Sequence, residues 1–112
     1  MNSTRSWVKQ NPNATRRFVK SIVEAIALMK KDKEATFRAM AKYYNFTRPQ
    51  MEVSYEGNKE MPAMPYPAVS GIKLLLELFD SDEMRKHQPQ DFYDDSFIRE
   101  LDTSGFIDRL YR

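Results

Sequence analysis

Residues 11–34 read NPNATRRFVKSIVEAIALMKKDKE, and this stretch decides the fold class. Asn11 can cap a helix, and Pro12 suits the first helical position, where no backbone N–H is needed. Phe18, Ile22, Ile26 and Met29 recur at one-turn spacing, while Val19, Val23 and Ala25 widen the apolar stripe. Arg16, Arg17, Lys20 and Glu24 fall mostly on the other side. The spacing predicts a helix that ends near Lys31. Asp32 can cap the next one, with Glu34 in its first turn, where the helix dipole favours an acid.

The same helical period runs outward from this stretch. Phe37, Met40, Ala41 and Tyr44 give the i, i+3, i+4, i+7 pattern of a second helix. Thr47 to Gln50 reads as a capping box for a short third helix, which Gly57 and Asn58 end. Residues 61–67, MPAMPYP, hold three prolines in six residues, so they form a loop that favours an extended path. Pro67 then starts a strongly apolar helix over 67–79. It carries Val69, Ile72, Leu75, Leu76 and Phe79 on one face, with Leu74 and Leu78 adding a second. A helix apolar on two sides needs burial on two sides. Residues 80–88 are charged and are expected to fray. Asp94 or Asp95 caps a helix with Phe97, Ile98 and Leu101, Gly105 suits its end, and Phe106, Ile107, Leu110 and Tyr111 form a last short turn.

The expected architecture is therefore all-α, with five or so short-to-medium helices in one domain spanning 1–112. Its parts are an extended lead-in at 1–10, helices over 11–60, the proline-rich loop at 61–67, and helices over 68–112. The length of 112 residues suits one domain with a modest core. Hydrophobic residues at 41% and charged residues at 30% mark a globular chain, and a net charge of +2 gives no strong pull toward nucleic acid or anionic membranes.

Several chemistries are excluded or disfavoured. The chain has no cysteine, which rules out disulfides, thiolate zinc sites and cysteine nucleophiles. One histidine, His87, rules out histidine-rich metal sites. His87 lies in a polar stretch before a proline and reads as a solvated surface residue, since a catalytic imidazole needs an orienting partner. The acids Asp80, Asp82 and Glu83, and likewise Asp91, Asp94 and Asp95, lack calcium-loop spacing and read as caps and solvated side chains. The three glycines form no phosphate-cradling pattern. No enzyme activity and no cofactor are expected. No apolar run approaches the ~20 residues that cross a bilayer, so no membrane insertion is expected. Residues 1–10 have no apolar stretch of signal-peptide length, which points to the cytoplasm if the start is natural.

Residues 37–56 also match a DNA-binding helix-turn-helix in part. Ala41 takes the small-residue position, Asn45 the turn position, and Phe46 and Met51 the apolar contacts. Against this, Ser54 stands where an apolar residue is needed. Gly57 shortens the second helix to about two turns, and Glu52 and Glu56 would face phosphates that repel them.

A longer match is carried by an ordered set of motifs. Ser3-Thr4-Arg5-Ser6-Trp7 precedes Asn11-Pro12 and Arg16-Arg17-Phe18-Val19. Glu24-Ala25-Ile26 and Lys31-Asp32-Lys33-Glu34-Ala35 follow, then Met64-Pro65-Tyr66-Pro67 with Gly71-Ile72. Residues 91–101, DFYDDSFIREL, and 104–111, SGFIDRLY, complete the set. Together they resemble the C-terminal helical segment of periplasmic solute-binding proteins of ABC importers, of the nitrate, sulfonate (taurine) and thiamine-precursor type. The resemblance spans nearly the whole chain. It implies a periplasmic component of two α/β lobes that delivers a small solute to a membrane permease. Only the helical C-terminal part has a counterpart in these residues, so the chain alone is expected to lack most of the ligand cleft and not to bind solute. Ser3, Thr4 and Arg5 are the nearest ligand-binding candidates, because in that family the corresponding run ends a strand that can face the cleft.

Without a lobe to cover, the apolar faces need another partner. The expectation is a twofold homodimer. Its surface would use Phe18, Ile22 and Ile26 from the first long helix with Ile72, Leu75, Leu76 and Phe79 from the apolar helix. A helical module for self-association or protein interaction and a DNA-binding regulator remain as alternative functions, although nucleic acid is the less expected partner.

Overall fold

A computed structural model describes residues 2–79 and 81–112. Among the described residues it is all-α. The elements are α1 (Arg5–Gln10), α2 (Pro12–Lys31), α3 (Lys33–Tyr44), α4 (Arg48–Asn58), α5 (Val69–Leu78), α6 (Ser96–Thr103) and α7 (Phe106–Tyr111), with 3-10 turns at Met84–Lys86 and Pro89–Phe92.

Local chemistry sets most boundaries. Asp32 accepts the Ala35 N–H at 2.8 Å and starts α3. Asn45 ends α3 in the left-handed region at φ 51°, a conformation that asparagine tolerates better than most residues. Gln50 Oε1 accepts from both the backbone N–H and the hydroxyl of Thr47 at 2.9 Å, which fixes the start of α4. Gly105, at φ 69°, makes the corner between α6 and α7.

Three expectations change. Residues 5–10 are helical, not an extended lead-in, because Thr4 caps the segment by accepting the Trp7 N–H at 3.2 Å. Met1 lies outside the described residues. The helix α4 runs through Gly57 to Asn58, about three turns rather than two. The charged stretch after α5 is not merely frayed: it forms the 3-10 turn Met84–Lys86, though Asp80 lies outside the described residues.

The core is small and has two centres. In the first, Val23 of α2 packs with Ile98 and Leu101 of α6 and Ile107 of α7, flanked by Val19, Tyr66, Phe106, Leu110 and Tyr111. The proline-rich loop is pinned there by Tyr66, whose hydroxyl donates to Asp102 Oδ2 at 2.6 Å. Arg16 Nε bridges both carboxylate oxygens of Glu100, at 2.9 and 3.0 Å, and ties α2 to α6. The second centre lies where α2, α3 and α4 pack in series, with Ile26, Ala27, Phe37 and Met51 buried.

The molecule is open for its size. Its surface is 8401 Å², whereas a compact monomer of 13.2 kDa would show about 6,400 Å². The radius of gyration is 16.8 Å, against about 13 Å for a compact domain of this length.

Candidate functional site

The first candidate surface grows out of α2. Its 20 residues carry an apolar arc wider than its neighbours cover. Thr15, Val23, Ile26 and Ala27 are buried under α3, α6 and α7, and the Thr15 hydroxyl is satisfied by donating to the Asn11 carbonyl at 3.0 Å. At 3.6 residues per turn, Phe18, Ile22 and Ala25 fall on an adjacent strip, and all three are exposed, Phe18 by 49% and Ile22 by 42%.

The second surface is α5. Ile72 and Leu76 are half-buried toward the 3-10 turn Pro89–Phe92, its main neighbour, while Leu74, Leu75 and Leu78 stand exposed with Phe79 just beyond the helix. Among the described residues no side chain of α5 is buried. Between α5 and the following turns lies an open cleft of about 710 Å³, lined by Val69, Lys73, Leu76, Met84, His87 and Pro89 among others. His87 is held between two carboxylates there. Its Nε2 lies 3.6 Å from Glu83 and its Nδ1 3.5 Å from Asp91, with Phe92 edge-on at 5.5 Å. These partners fix the ring as part of the turn.

A third surface lies around the α3–α4 corner. Tyr44 stacks on Phe46 at 5.4 Å, and Phe46, Pro49 and Val53 form an exposed apolar patch. On the other side of this corner Arg48 donates to both oxygens of Glu34, at 2.8 and 3.2 Å, and lies 3.5 Å from Glu52. Lys33 pairs with Glu52 at 2.7 Å.

The ion pairs shift several carboxylates. Glu34 is held below the usual carboxylate range mainly by its hydrogen bond to Arg48, and Glu56 by its bond to Lys59. Asp91 is lowered first by the Gln88 backbone N–H and then by His87. A depressed folded-state pKa contributes stability that is present above the unfolded value and lost as pH falls through the folded one. Urea unfolding across a pH series should therefore show stability nearly flat from neutrality down to the ordinary glutamate value of 4.5, then falling below it. Flat stability through that lower range would contradict these ion pairs.

The structure does not assemble the sequence-predicted ligand candidates into a cleft. Ser3 and Thr4 are exposed, Thr4 serves as the α1 cap, and Arg5 Nη2 donates to the Asp91 carbonyl at 2.9 Å. They stand at a helix start rather than a strand end. Of the expected self-association residues, Phe18, Ile22, Leu75 and Phe79 are exposed, and Ile72 and Leu76 are half-buried. Ile26 must be removed from that surface: only 4% of it is exposed, because α2 turns it into the chain's own core. Sequence reasoning touched the α3–α4 corner only through the helix-turn-helix match, which took Phe46 and Met51 as apolar contacts; Met51 is buried, whereas Phe46 is exposed with Val53.

Among the described residues no group of three or more histidines and acids converges as a metal site. Among the described residues no helix is long and apolar enough to cross a membrane. Neither a protein-family model, nor a curated protein, nor a solved structure matches the chain.

Proposed function

We propose that these residues act as the helical cover of a solute-binding component of an ABC importer, packing over a folded lobe rather than holding solute alone. The observation that supports this is the half-covered apolar arc of α2. Val23 and Ile26 face α3, α6 and α7, while Phe18, Ile22 and Ala25 beside them face solvent. Burying a large apolar side chain is worth roughly 1.5–3 kcal/mol, so a second layer over this strip would be strongly favoured. The ordered resemblance to the C-terminal segment of solute-binding proteins names the kind of layer: the α/β lobe that such helices cover.

The test is complementation. A solute-binding protein of the nitrate, sulfonate or thiamine-precursor type, truncated before its own final helices, would be co-expressed with residues 1–112. A one-to-one complex is expected, with saturable solute binding that neither piece shows alone. A Phe18→Glu, Ile22→Glu double variant should abolish the complex while keeping its helical circular dichroism, since both side chains are already exposed. Failure of every such lobe to bind the wild-type chain would remove this reading.

One observation favours a second reading. The left-handed Asn45 between α3 and α4 is the turn that a DNA-binding helix-turn-helix requires. Duplex binding that weakens steeply with salt would support it. The chemistry of α4 opposes it, since Arg48 is engaged by Glu34 and Glu52, and Glu56 sits on the same helix paired to Lys59.

A further inference from the structure

The cleft between α5 and the turns that follow it holds a charge pattern that the chain itself does not use. Val69, Lys73, Leu76 and Glu77 form its α5 wall, and at 3.6 residues per turn they share one face of the helix. Lys73 and Glu77 stand one turn apart with opposite charges, a spacing at which helix side chains ordinarily pair. Lys20 pairs with Glu24 in this way, and Lys59 with Glu56. Among the described residues Lys73 and Glu77 have no ion-pair or hydrogen-bond partner, and both are exposed.

The other charged groups at the cleft are already engaged. Arg85 pairs with Asp82 at 3.3 Å, and His87 lies between Glu83 and Asp91. What remains is one ammonium and one carboxylate beside the apolar side chains of Val69, Leu76, Met84 and Pro89, with Gln90 also lining the cleft.

We propose that this cleft binds a free α-amino acid with an apolar side chain. Lys73 takes its carboxylate, Glu77 its ammonium, and the apolar residues its side chain. The charge pattern selects this class. A simple anion attracted by Lys73 is repelled by Glu77, and a simple cation meets the reverse. An uncharged molecule leaves both groups unpaired. A ligand with both charges close together satisfies the two at once, and in an α-amino acid both are attached to one carbon. The apolar side chain then gains by leaving water against the apolar part of the cleft. The cleft volume of about 710 Å³ lies within the roughly 300–1,000 Å³ of small-molecule sites. The site is separate from Phe18 and Ile22 on α2, and its ligand is not the imported solute, so this proposal and the lobe-covering one fail independently.

Both charges are exposed, and exposed ion pairs are individually weak and screened by salt. The expected affinity is therefore millimolar, at low ionic strength. The test is an NMR titration of the nitrogen-15-labelled chain with L-leucine to about 50 mM, well past millimolar affinity. Saturable shifts are expected at the backbone N–H groups of Lys73, Leu76, Glu77 and Gln90, with α3 and α4 unmoved. N-acetyl-leucine lacks the ammonium and leucinamide lacks the carboxylate, so each should bind about threefold or more weaker, the scale of one exposed pair. Glycine, with both charges and no apolar group, should also bind more weakly than leucine.

Two variants make the assignment specific to these side chains. Glu77→Gln should bind N-acetyl-leucine better than leucinamide, and Lys73→Gln should show the opposite preference. Both side chains are exposed and unpartnered, so the helical circular dichroism of each variant should match the wild type. A loss of structure would weaken every ligand alike and would give no such crossover. Absence of saturable shifts at the top of the leucine titration overturns the proposal. So do partial ligands that bind as well as leucine, or variants that leave the preference between them unchanged.

Discussion

Phe37→Ala should cost about 3–5 kcal/mol, the range for emptying a buried phenylalanine site. Phe37 is 2% exposed and stands where α3 packs between α2 and α4. Tyr55 of α4 meets its ring edge-on at 5.8 Å, and the Arg48 guanidinium lies 4.4 Å from the ring centre, with Lys33 at 5.3 Å. Removing the ring leaves a void and takes the apolar surface from under two cations. The ion pairs of Arg48 with Glu34 and of Lys33 with Glu52 would remain, but they are partly exposed and worth little by themselves. Against a typical total of about 5–15 kcal/mol, the loss is a large fraction.

Its location should be visible. The two buried centres lie at different helix junctions, so hydrogen exchange in Phe37→Ala should rise first in α3 and α4, with α6 and α7 less affected. A urea-unfolding loss below about 1 kcal/mol would mean that the site collapses around the smaller side chain. Uniform loss of protection would mean that the two centres open as one unit.

The second large effect is expected at the other centre. Ile107→Ala should lower stability by about 2–5 kcal/mol. Ile107 is 2% exposed and packs with Val23, Ile98 and Leu101. It is also the one buried residue of α7, a helix of six residues whose Phe106, Leu110 and Tyr111 pack around it at the same core. A helix that short has no stability of its own in water, so it persists only through its packed face. Loss of the sec-butyl group should release α7 and expose the α6 face that it covers. Exchange should then rise in α6 and α7 before α3 and α4, the reverse of the Phe37 variant. If both variants show the same pattern, the division into two centres is wrong.

Much of the fold was legible because its signals are local. Pro12 and Asp32 start α2 and α3, Thr47 with Gln50 starts α4, and the prolines of residues 61–67 make a loop. Each depends on a few neighbouring residues and backbone groups, which the sequence contains in full. Asn45 and Gly105 ended their helices in left-handed conformations for the same reason. The first helix was missed, although its cap at Thr4 is equally local, because six residues are too few to show a helical period.

What the sequence could not determine was which side of a helix faces inward. The apolar arc of α2 is wide enough that Phe18, Ile22 and Ile26 form as good a stripe as Val19, Val23 and Ile26. Only the arrival of α3, α6 and α7 buries Val23 and Ile26, partly covers Val19 and leaves Phe18 and Ile22 outside. Likewise α5 reads as two-sided, but which side stays bare depends on the turn at Pro89–Phe92, a dozen or more residues away. Periodicity fixes that an element is a helix with an apolar arc, because that follows from spacing along the chain. The choice of buried face follows from contacts between distant segments, and those are decided only when the helices pack.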